Sequence, residues 1–482
     1  MLLKELLKKL DYKLINGNDD IIIGNVRYDN RRVNQGDLFV CVKGFKVDGH
    51  SFIGDAKNKG AVAIIVSEDI EAIDGVTIIK VEDTRKALAI VSSNYFENPK
   101  DKLKIIGITG TNGKTTSAFM IKAMLEKAGK KVGLIGTIAN YIGDKKIDTE
   151  RTTPESFELH ELFSQMVNEN VEYCVMEVSS HSLELDRVYG LEYEVGIFTN
   201  LTRDHLDFHK TFENYYKAKF ILFERSNISV VNLDDEYGVN VLADLNKLEK
   251  DTMTFSIKGD SDFKAYDIEM NENGSTFKLN IKGEEVIFNM NIPGDYNVQN
   301  ALGTILMGIS LNIDMKFIKE GLENILIPGR CEMVAKDREI NYNIIIDYAH
   351  TPDGLENILE TVKGFAKARI ITVVGCGGDR DKVKRPQMGK IACDLSDIAI
   401  ITSDNPRSEE PMSIINDIIK PLVNTNYEVI EGRYDAIERA MMIAKRGDVV
   451  LIAGKGHETY QILKEETIHF DEREVVNEIL DK

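Results

Sequence analysis

The stretch IIGITGTNGKTTSAFMIKAML, residues 105–125, decides how the rest of the chain is read. An apolar run ends in a Gly-rich turn, and Lys114, Thr115 and Thr116 open a segment with helical spacing. In a strand–turn–helix of this kind backbone amides point at an anion, and the helix N-terminus adds about half a positive charge. Gly110, Thr111, Asn112, Gly113, Lys114, Thr115 and Thr116 then form a phosphate cradle. Lys114 would meet the β- and γ-phosphates and Thr115 would ligate Mg²⁺. The first glycine of the general GxxxxGK[ST] pattern would fall on Ile108, so the loop is the tighter form TGTNGKTT. A plain Gly-rich turn is the alternative, and the loop alone implies ATP or GTP without naming a reaction.

Working outward, strand and helix patterns alternate from about 103 to 330 (KIIGIT, KVGLIGT, VEYCVMEVSS, YEVGIFTNL), which implies a mostly parallel sheet with crossover helices. The segment 251–292 reads instead as antiparallel hairpins. A second alternating run, NIIIDYA, ARIITVVGC, IAIITSDN and VVLIAGK, resembles a doubly wound sheet whose ligands sit at the strands' carboxyl ends. Residues 1 to about 100 read as a small α/β unit closed by the polar, Pro99-bearing segment ENPKDK. The expected organisation is therefore α/β in three domains, 1–100, 101–329 and 330–482: a small α/β domain, a P-loop-type parallel sheet with an antiparallel edge, and a Rossmann-like doubly wound sheet. A length of 482 residues accommodates about three domains.

A net charge of −19 argues against a nucleic-acid or anionic-membrane binder, which needs a basic footprint. The five cysteines are scattered with no CxxC pair, which speaks against a disulfide framework or zinc knuckle and for a reducing cytosol. The N-terminal MLLKELLKKL alternates charge and leucine at helical spacing, unlike a signal peptide, and no apolar run reaches 18 residues. A cytoplasmic protein is expected.

Further motifs sit at strand ends. Glu177 in MEVSSH can hold Mg²⁺ or serve a structural pair; Ser179, His181 and Arg187 follow it, with no GxSxG elbow to make a hydrolase. TNLTRDHLDFH clusters Asp204, His205, Asp207 and His209; the two histidines are four apart, so a zinc pair is conceivable, although one histidine joining Glu177 at a second magnesium fits better. Lys219, on a helix of alternating aromatics and lysines, reads by itself as a solvated lysine. Asn297 and Asn300 open another helix, and Arg330 precedes the last sheet. Asp347 and His350, then Arg380, Lys382 and Arg385, then Asp404, Asn405 and Arg407, then Lys455, His457 and Glu458 gather at strand ends of that sheet, as an amino-acid or nucleotide pocket would require.

Taken together, TGTNGKTT, MEVSSH, TNLTRDHLDFH, YKAKF, GDYNVQNA, PGRCE, DYAHTPD, GCGGDRD, DNPRSEEP and AGKGHE resemble, in order, the motifs of the Mur ligases, ATP-dependent amino-acid-adding enzymes of peptidoglycan synthesis. The likeness spans about residues 27–460, and DNPR resembles the signature of the diaminopimelate-adding members. It implies an ATP-dependent ligase that joins meso-2,6-diaminopimelate to the D-glutamate of UDP-N-acetylmuramoyl-L-alanyl-D-glutamate through an acyl phosphate, and so serves cell-wall biogenesis, cell shape and division. It further implies Mg²⁺ held by Thr115 and Glu177, and a second ion held by His205 and by Lys219 carbamylated with CO₂. Asn300, Arg330 and Asp347 would bind adenine and ribose. Asn30, Thr152, Thr153, Ser179 and Arg187 would bind the UDP substrate. Arg380, Asp404, Asn405, Pro406, Arg407, Gly454 and Glu458 would bind diaminopimelate. A monomer is expected. The chain departs from the family pattern at Asn30, where serine is usual, and at Leu185, where some relatives carry glutamine. The rival from another class is a regulatory P-loop switch, whose ATP turnover would need no second substrate.

Overall fold

The computed structural model describes residues 1–44, 47–423 and 425–482. Three main sheets organise them. The first has five strands, with Lys13–Asn16 antiparallel at one edge and Thr77–Lys80, Ala63–Val66, Leu38–Val40 and Val26–Arg27 following in parallel. The helix Thr84–Tyr95 covers it, its first turn capped by the Asp83 carboxylate. The N-terminal helix is only Leu3–Leu6, because Leu3, Leu6 and Leu7 face that core and the chain then turns away.

The second sheet has nine strands, and the P-loop strand Lys104–Thr109 lies in its middle. On one side runs Tyr173–Glu177, in a register that sets Glu177 beside Ile108; on the other runs Tyr193–Phe198, with Phe198 beside Thr109. This parallel register brings the P-loop, Glu177 and the loop after Phe198 to one edge, where switch-point ligands bind. Asn140–Ile142 and Lys145–Ile147 form the antiparallel edge. One expectation is corrected here. Asp251–Ser256 is no hairpin strand: it pairs parallel with Ser226–Asn232 and widens the central sheet. The antiparallel hairpins are confined to Tyr266–Asn271, Gly274–Ile281 and Glu284–Met290.

The third sheet has six strands, all parallel except Glu332–Val334. Its register aligns Asp347, Ala453, Val374 and Ile401, so four strand ends open on one rim. The edge strand Tyr427–Val429 is short and half-exposed, and gave no apolar signal. One core cluster runs from the P-loop helix Lys114–Lys127 through the helix Asp295–Ser310 to the third sheet, so the faces that carry the two rims are packed together. No helix among the described residues is long and apolar enough to cross a membrane.

Candidate active site

The P-loop turn depends on two glycines. Gly113 has φ +85°, a left-handed conformation, and a Cβ there would lie 2.3 Å from Asn300 Oδ1. A Cβ on Gly110 would lie 1.8 Å from Thr199 Oγ1. Asn200 holds the turn from outside: its carbonyl accepts from the Thr111 amide and its Oδ1 from the Asn112 amide at 2.9 Å. Gly113 caps the helix without a side-chain acceptor, which leaves first-turn amides for an anion.

A cavity of about 390 Å³ opens in front of this turn, lined by Thr111, Lys114, Thr115, Thr116, Thr137, Thr152, Glu177, Asp204, His205, Arg330, Asp347 and His350 among others. Residues from far apart in the sequence thus share one space, and Lys114, Glu177 and His205 are together in it. The buried Glu177 carboxylate accepts from Thr115 Oγ1 at 3.0 Å, from the Thr137 amide at 2.9 Å and from Thr137 Oγ1 at 2.9 Å. Thr137 in turn meets Thr152 Oγ1 at 3.0 Å. A carboxylate ringed by hydroxyls is the hard-oxygen donor set that suits Mg²⁺. Arg330 reaches Thr115 Oγ1 at 3.4 Å and lies over the Tyr348 ring, and its buried Nε has no partner. The Thr202 hydroxyl is likewise buried without a partner. Orphaned donors on a cavity wall fit a polar ligand.

Two lysines stand at the P-loop, Lys114 half-buried in the cavity wall and Lys219 buried behind it. Lys114 donates to the carbonyls of Gly110 and Thr111 at 2.9 and 2.8 Å, and burial lowers its pKa against the pull of Glu177 and Asp204. Lys219, 2% exposed, donates to the Gly110 carbonyl at 2.8 Å and sits over the Tyr215 ring. Read alone it was a solvated lysine; instead burial, then the charge of Lys114, push its pKa well below the ordinary lysine value. A neutral amine is the form that can take up CO₂, so the residue suits a carbamate. His205 has φ +53°, uncommon outside glycine, and burial brings its pKa to about 4 despite Asp204. His209 does not join it: its ring bonds Ser180 Oγ at 2.9 Å and stacks on Tyr215, which argues against the zinc pair.

Asp347 is buried at its strand end, accepts from the Cys331 amide at 2.7 Å and has a pKa raised by burial and restrained by Arg330. Asn300 lies outside the main cavity, on a small side cavity with Asn232, Gln299 and Phe255. Asn112 Nδ2 donates to Asp353 Oδ2 at 2.5 Å, which joins the P-loop to the helix Pro352–Phe365 of the last sheet. The reading of the sequence missed Asp353, Thr137 and Asn200. Thr137 and Asn200 each follow a strand's carboxyl end, the signal that found Glu177.

On the third sheet, Asp404, Asn405 and Pro406 are buried and Arg407 half-buried. Asn405 is already engaged: its Nδ2 donates to Glu458 Oε2 at 2.8 Å, and its Oδ1 accepts from the Ile462 amide at 2.9 Å and Lys455 Nζ at 3.2 Å. Arg407 Nη1 donates to the Gly378 carbonyl at 2.8 Å. The Asp404 carboxyl is raised by burial, but Arg433 and Lys455 outweigh this and hold it below the usual value. A Cβ on Gly454, at φ +122°, would lie 2.7 Å from Asp404 Oδ2. Arg380 is exposed. Arg385 is fully buried and paired with Glu409 and Asp417.

On the first sheet's side, Thr153 Oγ1 donates to the Glu177 carbonyl at 2.8 Å and accepts from the Ser179 amide, while Ser179 caps the helix Ser180–Glu184. Arg187 pairs with Glu155 at 2.7 Å. Asn30 lies apart from them, its Nδ2 donating to Asp55 at 2.7 Å.

The pattern of the Mur ligase middle domain matches residues 108–308; that of the Mur ligase, glutamate ligase domain, matches 329–456; and that of the Mur ligase family, catalytic domain, matches 22–96. The chain is 69% identical over 483 residues to the UDP-N-acetylmuramoyl-L-alanyl-D-glutamate–2,6-diaminopimelate ligase of Clostridium perfringens (strain 13 / Type A), all of each chain being covered. It is 56% identical to the ligase of the same name from Clostridium tetani (strain Massachusetts / E88), again with full coverage of both. A solved structure of a ligase so named superposes with a TM-score of 0.72 at 28% identity, covering 100% of this chain and 99% of that one. With three Mur ligase patterns following one another over most of its length and a full-length relative at 69% identity, the chain belongs to the Mur ligase family.

Proposed function

We propose that this chain is an ATP-dependent amide-bond-forming ligase that adds meso-2,6-diaminopimelate to the D-glutamate carboxylate of UDP-N-acetylmuramoyl-L-alanyl-D-glutamate. The observation that carries this is the convergence of Lys114, Thr115, Glu177, His205, Arg330 and Asp347 on one cavity, with Asp404–Arg407 and Glu458 at strand ends of the same sheet as Asp347. The named relatives at 69% and 56% identity supply the substrate class.

The γ-phosphoryl group passes to the substrate carboxylate, and the amine then displaces phosphate from the acyl phosphate. Little covalent work falls to the protein; positioning and electrostatics do most of it. Lys114 sets its ammonium against the phosphates in a low-dielectric site. The P-loop amides orient them. Arg330, anchored on Tyr348, sets a second cation near Thr115. Thr115 and Glu177 would hold one Mg²⁺, and His205 with carbamylated Lys219 a second; bound there, the ions neutralise charge on the transferred phosphoryl group. Thr152, Thr153, Ser179 and Arg187 take the UDP-linked peptide beside Glu177. Closure of the third sheet on the P-loop, along the contact of Asn112 with Asp353, keeps water from the acyl phosphate.

Arg407 clamps the distal carboxylate that diaminopimelate has and lysine lacks. A site built to pair a polar group rejects the analogue lacking it by about 10⁴-fold. The test is phosphate release with ATP, Mg²⁺, the UDP-linked dipeptide and a panel of amino acids. Release is expected only when dipeptide and diaminopimelate are both present. Turnover of ATP alone would favour a switch NTPase, and equal rates with L-lysine would refute the proposed specificity.

A further inference from the structure

The third sheet carries a buried cation that the proposed chemistry does not use. Lys455 is 0% exposed, yet it lies at the strand end that supplies Glu458. Its Nζ donates to Glu458 Oε2 at 2.9 Å and to Asn405 Oδ1 at 3.2 Å. Asn405 Nδ2 closes the triangle on the same Glu458 oxygen at 2.8 Å. Both of these donors end on Oε2, and the Tyr460 side chain reaches the same carboxylate, so Glu458 is braced from several sides. The amide of Asn405 is held in one sense, because its oxygen faces an ammonium and the Ile462 amide.

This triangle joins two strand ends, the one that runs into Asp404–Arg407 and the one that runs into Lys455–Glu458. A substrate carbon bearing both an ammonium and a carboxylate needs an anion and a cation at a fixed separation. Glu458 and Arg407 are that pair, on different strand ends. Without a strut, the Glu458 carboxylate would turn about its side-chain torsions and present its charge over a range of positions.

We propose that Lys455 is a positioning residue for amine-substrate recognition: it fixes Asn405 and Glu458 so that Glu458 receives the distal ammonium of the incoming diamino acid while Arg407 receives the carboxylate on the same carbon. The inference rests on the reading of this rim as the diaminopimelate site.

The test is steady-state kinetics of Lys455→Met, Lys455→Gln, Glu458→Gln and the double variant Lys455→Met/Glu458→Gln, with diaminopimelate, UDP-linked dipeptide and ATP varied in turn, and circular dichroism to show folding. Lys455→Met should raise the KM for diaminopimelate at least tenfold, with KM values for ATP and dipeptide within twofold. Its preference for diaminopimelate over L-lysine should fall at least tenfold. Lys455→Gln, which keeps a donor, should recover part of the loss. The double variant should be no worse than the poorer single one. Additive losses, or equal rises in all three KM values, would overturn the proposal, as would failure of both single Lys455 variants to fold, which would make the residue purely structural. If Glu458→Gln leaves the KM for diaminopimelate unchanged, the reading of the rim fails. If it raises that KM and Lys455→Met does not, only the role of Lys455 fails.

Discussion

Two sets of basic side chains divide the molecule. In front of the P-loop, Lys114 and Lys219 are bonded to backbone carbonyls, and burial lowers the pKa of both. Under the rim of the third sheet, Lys455 and Arg433 are bonded to carboxylates: Lys455 to Glu458, and Arg433 to Glu472 at 2.6 Å with both side chains fully buried. The contrast separates two uses of buried charge. Lys114, without a counter-anion, is a site waiting for phosphate, and Lys219, pushed toward the neutral amine, is a site for CO₂. A cation already paired is part of the frame and holds something else in place.

The largest effect expected from this contrast is at Lys114. Lys114→Met should lower the rate of phosphate release by about 10²–10³, the cost of removing one preorganised electrostatic partner. Because the ammonium has no carboxylate partner, its thermal midpoint should not fall; a clear drop would show that Lys114 belongs to the frame. Arg433→Leu should behave oppositely. It strands Glu472 in the core and should cost about 3–5 kcal/mol of stability in denaturant unfolding.

Lys219 sharpens the first class. With ¹³C-bicarbonate, a carbamate resonance should appear in the wild-type protein and be absent from Lys219→Met, whose activity should fall about 10²-fold. A wild-type spectrum without the signal removes Lys219 from the proposed metal ligands.

Acid tests burial without a counter-charge. Burial brings the pKa of His350 to about 4, and those of His160 and His457 to about 3. Below the ordinary histidine value near 6.5 the unfolded chain binds protons that the folded one refuses. The stability these groups contribute is complete above about pH 6.5 and is lost as pH falls toward 4 for His350 and toward 3 for His160 and His457. Urea midpoints at pH 7.5, 6 and 5 should decline in that order. The smallest effect belongs to an exposed pair. Lys367→Ala, which removes the contact with Glu272 at 2.6 Å, should change stability by no more than about 0.5 kcal/mol.

What could be read from the sequence follows the same division. The P-loop is legible because one contiguous stretch carries strand, turn and helix, and Glu177 because it ends an apolar strand. Lys219 was not, since a helix of alternating aromatics and lysines has no side that declares itself; Phe212–Glu224 packs into its sheet with Lys219 inward, and only the family likeness pointed there. Asp251–Ser256 misled because its parallel partner, Ser226–Asn232, is reached through the crossover helix Glu236–Lys247, which the strand's own residues do not announce. On the rim, residue types were legible and their internal bonds were not. Asn405 and Arg385 both looked like ligand contacts, and the structure shows one braced against Glu458 and the other enclosed by Glu409 and Asp417.

The central claim is that one cavity passes a phosphoryl group to a carboxylate before nitrogen arrives. It is tested most directly by preparing the UDP-linked dipeptide with ¹⁸O in its D-glutamate side-chain carboxylate and recording the ³¹P spectrum of the phosphate released during turnover with ATP and diaminopimelate. The account predicts one ¹⁸O in each phosphate, the atom carried off when the acyl phosphate is displaced. Phosphate free of the label, formed at the same rate as the amide, would contradict it.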